Sequence, residues 1–80
     1  MPPRRSDRAP VVSGLAAAAR GRRLQLGLTQ QQLANLADVS RSSVQSLEAG
    51  QTGVTLDVAQ AVFRALGLAL VATPLANADD

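Results

Sequence analysis

In the middle of the chain, the apolar positions recur with the period of an α-helix. Leu33, Leu36 and Ala37 follow Thr29 at the spacing of one amphipathic helix face. Thr29 is a typical N-cap residue, and Gln32, three residues later, completes a capping box. The pattern therefore predicts a short helix that begins directly after Thr29.

A second short helix is predicted next, and most of its surface is polar. Ser40 is a further N-cap residue, and Gly50 is typical of a helix end. Val44 and Leu47 are its only apolar positions. The other positions carry hydrogen-bonding or basic side chains: Arg41, Ser42, Ser43, Gln45 and Ser46. As a pattern alone, this surface fits an ordinary solvated face as well as a face that binds a ligand.

One more helix is expected on each side of this pair. The first covers residues 12–26, with Ser13 as its N-cap. The last runs from the cap Thr55 to Gly67, and its apolar residues have near-helical spacing: Leu56, Ala59, Phe63 and Leu66. The sequence therefore predicts an all-α domain over residues 12–67, a compact bundle of about four to five helices.

The two ends of the chain differ from this domain in composition. Residues 1–11 contain three prolines and mixed charge, which predicts a disordered arm rich in arginine. Residues 74–80 contain Asp79 and Asp80 and are expected to form a flexible acidic tail.

Between the domain and that tail, the spacing of side chains changes from the 3.6-residue period of a helix to the two-residue period of a strand. Leu68, Leu70 and Ala72 alternate with Ala69, Val71 and Thr73, and Pro74 ends the run. This predicts a short β-strand over residues 68–73. A lone strand needs a hydrogen-bonding partner, and the same strand from a second copy, antiparallel about a two-fold axis, supplies one. The alternatives are a helix extension or an irregular segment packed on the core. The residues expected to form the dimer contact are Leu68, Leu70, Val71 and Ala72.

The composition excludes several classes of function. The chain has no cysteine and no histidine, which removes disulfides, Cys/His metal sites and the usual nucleophile and general base. We therefore expect neither an enzyme nor a bound cofactor or metal. One aromatic residue, Phe63, leaves no platform for stacking single-stranded bases. No apolar run is long enough to cross a membrane, and a cytoplasmic location is expected.

Residues 22–50 resemble the helix-turn-helix core of the lambda-repressor-like family, also called the Cro/C1 or XRE class. The resemblance rests on the segment Gly-Leu-Thr-Gln ending at Gln30, on Ala34 between the two short helices, and on the Leu-Glu-Ala-Gly exit ending at Gly50. Members are helical bundles that bind operator DNA as dimers. The chain departs from the family at Asp38, where a glycine is usual; aspartate tolerates the left-handed backbone that the turn requires.

The resemblance implies a role for each polar residue. It implies that Gln30 contacts a DNA phosphate and that the early residues of the second short helix contact base edges. It also implies a structural salt bridge between Arg23 and Glu48. The DNA-binding residues expected on this basis are Thr29, Gln30, Ser40, Arg41, Ser42, Ser43, Gln45, Ser46, Gln51 and Thr52.

Other arginines leave alternatives open. Arg20 and Arg22 are expected either at the solvated surface or against phosphates. The arm arginines, Arg4, Arg5 and Arg8, are expected either to enter the minor groove or to have no role.

The C-terminal part of the chain resembles a narrower group. The segment from Thr55 to Pro74 is similar to HipB-like antitoxins of bacterial type II toxin–antitoxin operons. This implies a homodimer that represses its own operon by binding an inverted repeat in double-stranded DNA, with a HipA-like kinase toxin as its protein partner. The alternative is a free-standing XRE repressor without a toxin.

Overall fold

The computed structural model describes the backbone of residues 4–71 and the side chains of residues 14–71. This part of the chain forms four helices: α1 (Arg4–Gln25), α2 (Gln30–Ala37), α3 (Arg41–Glu48) and α4 (Leu56–Ala65). Helix α2 packs against α3 and α4, and α1 packs against α3. The all-α prediction is therefore confirmed for the described residues.

The helices α2, α3 and α4 begin at the residues predicted as caps. The Thr29 hydroxyl accepts a hydrogen bond from the backbone N–H of Gln32 at 3.0 Å, and the Gln32 side chain accepts one from the Thr29 N–H at 2.8 Å. Ser40 caps α3 and Thr55 caps α4 in the same way, through hydroxyls that accept from a backbone N–H three residues later. These caps satisfy donors that helix starts leave free.

Each of the four helices is followed, within two residues, by a residue with positive φ. These residues are Gly27, Asp38, Gly50 and Gly67. At Asp38, with φ 60° and ψ 46°, the backbone N–H donates to the Asn35 carbonyl at 3.3 Å, and the next N–H, from Val39, donates to the Ala34 carbonyl at 3.0 Å. This is the Schellman arrangement. The turn between α2 and α3 therefore keeps its left-handed residue although aspartate replaces glycine.

The core consists of the apolar faces of the four helices. Leu33, Val44, Val62 and Leu66 are its largest fully buried side chains. Smaller residues and one aromatic complete it: Ala19, Ala34, Leu47, Ala59 and Phe63. Each helix therefore contributes an apolar stripe to the core.

Helix α1 is longer than the sequence predicted. It begins at Arg4, so residues 4–11 are helical where a disordered arm was expected, and Ser13 lies inside the helix instead of capping it. The segment Leu15–Ala19 has high helix propensity, and a helix propagates from such a segment because each added residue gains one backbone hydrogen bond. The side chains of the arm arginines lie outside the described ones.

The segment after α4 is neither a helix nor a paired strand within the described chain. Residues 68–71 have no regular secondary structure. Leu68 and Leu70 are half-buried and pack against the core, whereas Val71 is 73% exposed. The helix extension is therefore wrong for these residues. A strand ladder needs a second strand, which a single copy of the segment does not supply; residues 72 and 73 and the predicted acidic tail lie outside the described residues.

Candidate nucleic-acid interface

Helix α3 presents its polar residues to solvent. Val44 and Leu47 are buried, whereas Arg41, Ser42 and Gln45 are exposed and Ser43 and Ser46 are half-buried. Since Ser42 and Gln45 are three residues apart, they lie on the same side of the helix. The residues predicted to contact bases therefore form one continuous surface along α3.

Two of the serines are used by the fold itself. The Ser40 hydroxyl accepts from the Ser43 backbone N–H at 3.1 Å and lies 2.8 Å from the Ser43 hydroxyl. The Ser42 hydroxyl also lies close to the Ser40 hydroxyl, at 3.1 Å. Ser40 and Ser43 thus hold the start of α3; Ser40 and Ser42 are exposed, and Ser43 is half-buried.

Below this surface, a buried ion pair joins α1 to the end of α3. The Arg23 Nε donates to Oε2 of Glu48 at 2.7 Å, and a second Arg23 nitrogen donates to Oε1 at 3.0 Å. The remaining guanidinium nitrogen donates to the Leu28 carbonyl at 2.8 Å. The two side chains are 10% and 4% exposed. The Arg23–Glu48 contact implied by the resemblance is therefore present, as a bidentate salt bridge.

The protonation of Glu48 follows from its surroundings. Burial by itself raises the pKa of the Glu48 carboxyl, but hydrogen bonds from Arg23 and Gln30 and the positive charges of Arg23 and Arg20 outweigh it, so the pKa lies below its usual range. The hydrogen bond to Glu48 likewise raises the pKa of Arg23. Both groups are therefore charged at neutral pH.

Gln30, expected at a phosphate, belongs to this network. Its side-chain amide donates to Oε1 of Glu48 at 3.1 Å. An amide nitrogen carries two hydrogens, so one remains for a further acceptor. The first residue of α2 is therefore fixed relative to α3 before any ligand binds.

A shallow cleft lies between the start of α2 and the start of α3. Thr29, Gln30, Gln31 and Arg41 line it, with Arg23 and Leu28 at its base. The first turn of a helix leaves backbone N–H groups without partners inside the helix, and these groups favour anions. The cleft therefore combines helix-end donors with the guanidinium of Arg41. Gln31 was not among the predicted site residues, since the sequence shows it only as one of three successive glutamines.

A family model described as "Helix-turn-helix" matches residues 20–72, well over half of the chain. The chain belongs to this family, in its XRE and lambda Cro-like class. It is a DNA-binding regulator, in a family whose members are generally not enzymes. No curated protein matches the chain.

In this helix-turn-helix domain, α2 and α3 are the two helices of the motif. On the far side of α3, a second cleft separates it from the start of α4. Ser42, Ser43 and Ser46 line one wall, and Gln51, Gly53 and Thr55 lie opposite them. Gln51 was predicted as a site residue, and Thr52 is exposed beside it. The sequence identified Thr55 only as a helix cap, although its position places it in the same cleft.

The two remaining arginines of α1 have different surroundings in this domain. Arg20 is exposed. Arg22 is half-buried, and its Nε donates to the Leu66 carbonyl at 3.0 Å. The Arg22 side chain therefore contacts the end of α4, a contact that neither expectation included. No helix of the described residues is both long and apolar enough to span a bilayer.

Proposed function

We propose that this helix-turn-helix protein is a transcriptional repressor that binds an inverted-repeat operator in double-stranded DNA as a homodimer. The observation that carries the proposal is the continuous polar surface of α3, which is exposed on a rigid helix of a domain that belongs to this family. An α-helix fits the major groove of B-DNA, where every base pair presents a distinct pattern of donors and acceptors.

The side chains of α3 suit this contact chemically. A guanidinium such as that of Arg41 donates two hydrogen bonds to guanine, and an amide such as that of Gln45 pairs with adenine. The Ser42 hydroxyl donates or accepts, and serves either base. Each good bidentate contact contributes roughly 1–3 kcal/mol of discrimination.

Around this surface, we assign phosphate contacts to the start of α2 and to the loop that follows α3. Thr29 and Gln30 stand at the positive end of α2, where a phosphate is favoured by the helix dipole. Gln51 and Thr52 follow α3 and offer an amide and a hydroxyl, since the loop has no basic residue. Such contacts fix the register of the protein on the duplex without specifying its sequence.

A homodimer doubles the number of base contacts. One short helix makes too few for operator specificity, and two copies related by a two-fold axis bind half-sites about 34 Å apart. We propose that residues 68–73 pair as antiparallel strands across that axis, through Leu68, Leu70, Val71 and Ala72. The non-helical backbone of 68–71 and the exposed Val71 support this proposal.

A binding selection from a library of random 30-base-pair duplexes tests the proposal. The selected sequences are expected to share one motif present twice as an inverted repeat. Arg41→Ala is expected to change the preferred base at one position of each half-site, whereas Arg64→Ala, on α4, leaves the motif unchanged. Failure of the parent protein to enrich any motif contradicts the proposal.

We further propose that the repressor is the antitoxin of a HipBA-like operon, with a kinase-fold toxin as its protein partner. A shallow cleft between α2 and α4 supports a protein partner: Leu36 is 63% exposed there beside Ala37, Ala61 and Ala65. No residue of α3 lines it, so it stays accessible in a protein bound to DNA through α3. On this proposal the protein acts in the bacterial cytoplasm, at the nucleoid when bound to DNA.

Affinity purification of the tagged chain from its native host, followed by mass spectrometry, separates this role from that of a free-standing repressor. Recovery of a stoichiometric kinase-fold protein, lost in a Leu36→Asp variant that still binds DNA, supports the antitoxin. Recovery of only the chain itself and DNA contradicts it and leaves the free-standing repressor.

A further inference from the structure

Two adjacent arginines of α1 bind two different parts of the domain. Arg23 binds Glu48 on α3 through its two hydrogen bonds. The Nε of Arg22 donates to the backbone carbonyl of Leu66 at 3.0 Å, at the end of α4. Successive residues of a helix point about 100° apart, so α1 reaches both elements at once.

The second of these contacts lies where the C-terminal segment leaves the domain. The backbone turns at Gly67, with φ 76°, and the Leu68 N–H closes the turn on the Phe63 carbonyl at 2.8 Å. A terminal nitrogen of Arg22 lies 3.8 Å from the place where a Cβ on Gly67 would stand. The guanidinium therefore covers the residue that sets the direction of residues 68–71.

We propose that Arg22 is a positioning residue that fixes the C-terminal segment relative to α3 and thereby sets the separation of the two half-sites that the dimer accepts. This inference rests on the proposed function, in which residues 68–73 join the two copies. Helix α1 is the rigid link: its Arg23 holds the DNA-contacting helix, and its Arg22 holds the start of the dimer contact.

The separation of half-sites that a dimer accepts depends on how its C-terminal segments are oriented relative to its α3 helices. Each base pair added between them moves one half-site by about 3.4 Å along the axis and rotates it by roughly a tenth of a turn. A dimer whose two α3 helices are held in one relative orientation accepts a single separation. A dimer whose C-terminal segments swing relative to α3 accepts several.

The test is the same random-duplex selection, in which each sequenced clone reports both the half-site motif and its spacing. Arg22→Gln removes the contact, since glutamine is a good helix former but is too short to reach the Leu66 carbonyl. Arg20→Gln is the matched control, because Arg20 is an exposed arginine of the same helix. Circular dichroism verifies that each variant is folded at the selection temperature. If Arg22→Gln is not folded, Arg22→Met takes its place, since methionine keeps an apolar stem of similar length and has no donor for the Leu66 carbonyl.

The parent protein and Arg20→Gln are expected to enrich one spacing over its neighbours by about tenfold or more, an effect of the size of one lost base contact. The Arg22 variant is expected to enrich the same half-site motif at several spacings within about threefold of one another. A single sharp spacing in the Arg22 variant overturns the inference but leaves the repressor intact. A parent protein that enriches no repeated motif contradicts the proposed function itself.

Discussion

Arg23 and Glu48, 25 positions apart in the sequence, form a two-bonded ion pair whose oxygen–nitrogen distances are 2.7 and 3.0 Å. The pair is almost fully withdrawn from solvent, and Gln30 completes the hydrogen bonding of the carboxylate. A charge buried in this way is costly unless its partner is present. The end of α3 is therefore tied to α1, and removal of either partner has a predictable cost.

Arg23→Met is expected to lower the free energy of unfolding by about 3–5 kcal/mol, because it leaves the Glu48 carboxylate buried without a counter-charge. Urea denaturation followed by circular dichroism measures the loss. The double variant Arg23→Met with Glu48→Leu is the control, and it is expected to recover most of the stability, since apolar residues often replace a buried pair without loss. Equal stability of Arg23→Met and the parent contradicts a structural role for the pair.

Acidification is expected to destabilise the parent protein through Glu48. The Glu48 pKa is lower in the folded protein than in the unfolded chain, so the unfolded chain binds a proton more readily. This contribution to stability is complete above about pH 5 and is lost as the pH falls through the folded-state pKa. Thermal melts between about pH 7 and pH 3 should show a steeper decline for the parent than for Glu48→Gln. Parallel declines would mean that Glu48 titrates normally.

Substitutions at Asp38 are expected to follow the conformation of its backbone. With φ 60°, the residue occupies the left-handed region, which costs an L-residue other than glycine roughly 1 kcal/mol. Asp38→Gly is therefore expected to raise the free energy of unfolding by about 0.5–1 kcal/mol, and Asp38→Val to lower it by about 1–2 kcal/mol. Chemical denaturation of the two variants and the parent measures both changes in the free energy of unfolding. A valine variant as stable as the parent would rule out the left-handed turn.

Arg41→Ala is expected to weaken binding to the selected operator by about 1–3 kcal/mol, since it removes one bidentate base contact. The fold should be unaffected, because the Arg41 side chain is exposed. Fluorescence anisotropy with a labelled duplex measures the affinity, and a scrambled duplex of the same composition separates base recognition from general attraction to phosphates. Equal loss on both duplexes would make Arg41 a phosphate contact.

Leu70→Asp is expected to shift the dimer toward the monomer, because it places a charge in the proposed strand contact. Sedimentation equilibrium measures the mass. Leu56→Asp is a control for the added charge alone: Leu56 is 67% exposed at the first position of α4, where an acidic side chain is favoured by the helix dipole. An unchanged mass for a folded Leu70→Asp would contradict the pairing of residues 68–73.

Local cap signals in the sequence predicted where α2, α3 and α4 begin. Thr29, Ser40 and Thr55 each begin a helix, because the hydrogen bond of an N-cap depends on residues only three positions apart. The start of α1 was predicted wrongly: Ser13, the predicted cap, lies inside the helix, and the three prolines and mixed charge of residues 1–11 predicted disorder.

Contacts between residues far apart in the sequence could not be predicted from local patterns. The Arg23–Glu48 pair followed from the family resemblance and not from any local pattern. The bond from Arg22 to the Leu66 carbonyl spans 44 positions and ends on a backbone atom, so no residue type marks it in the sequence. The attachment of Gln30 to Glu48 likewise depends on how α2 packs against α3.

The central claim is that the polar surface of α3 contacts DNA. Amide chemical-shift mapping of the ¹⁵N-labelled protein, titrated with the selected duplex, tests it most directly. The largest changes are expected at residues 41–46 and at the start of α2, residues 29–31, with little change around Leu36, Ala61 and Ala65. Changes centred on that second group, with residues 41–46 undisturbed, would contradict the claim.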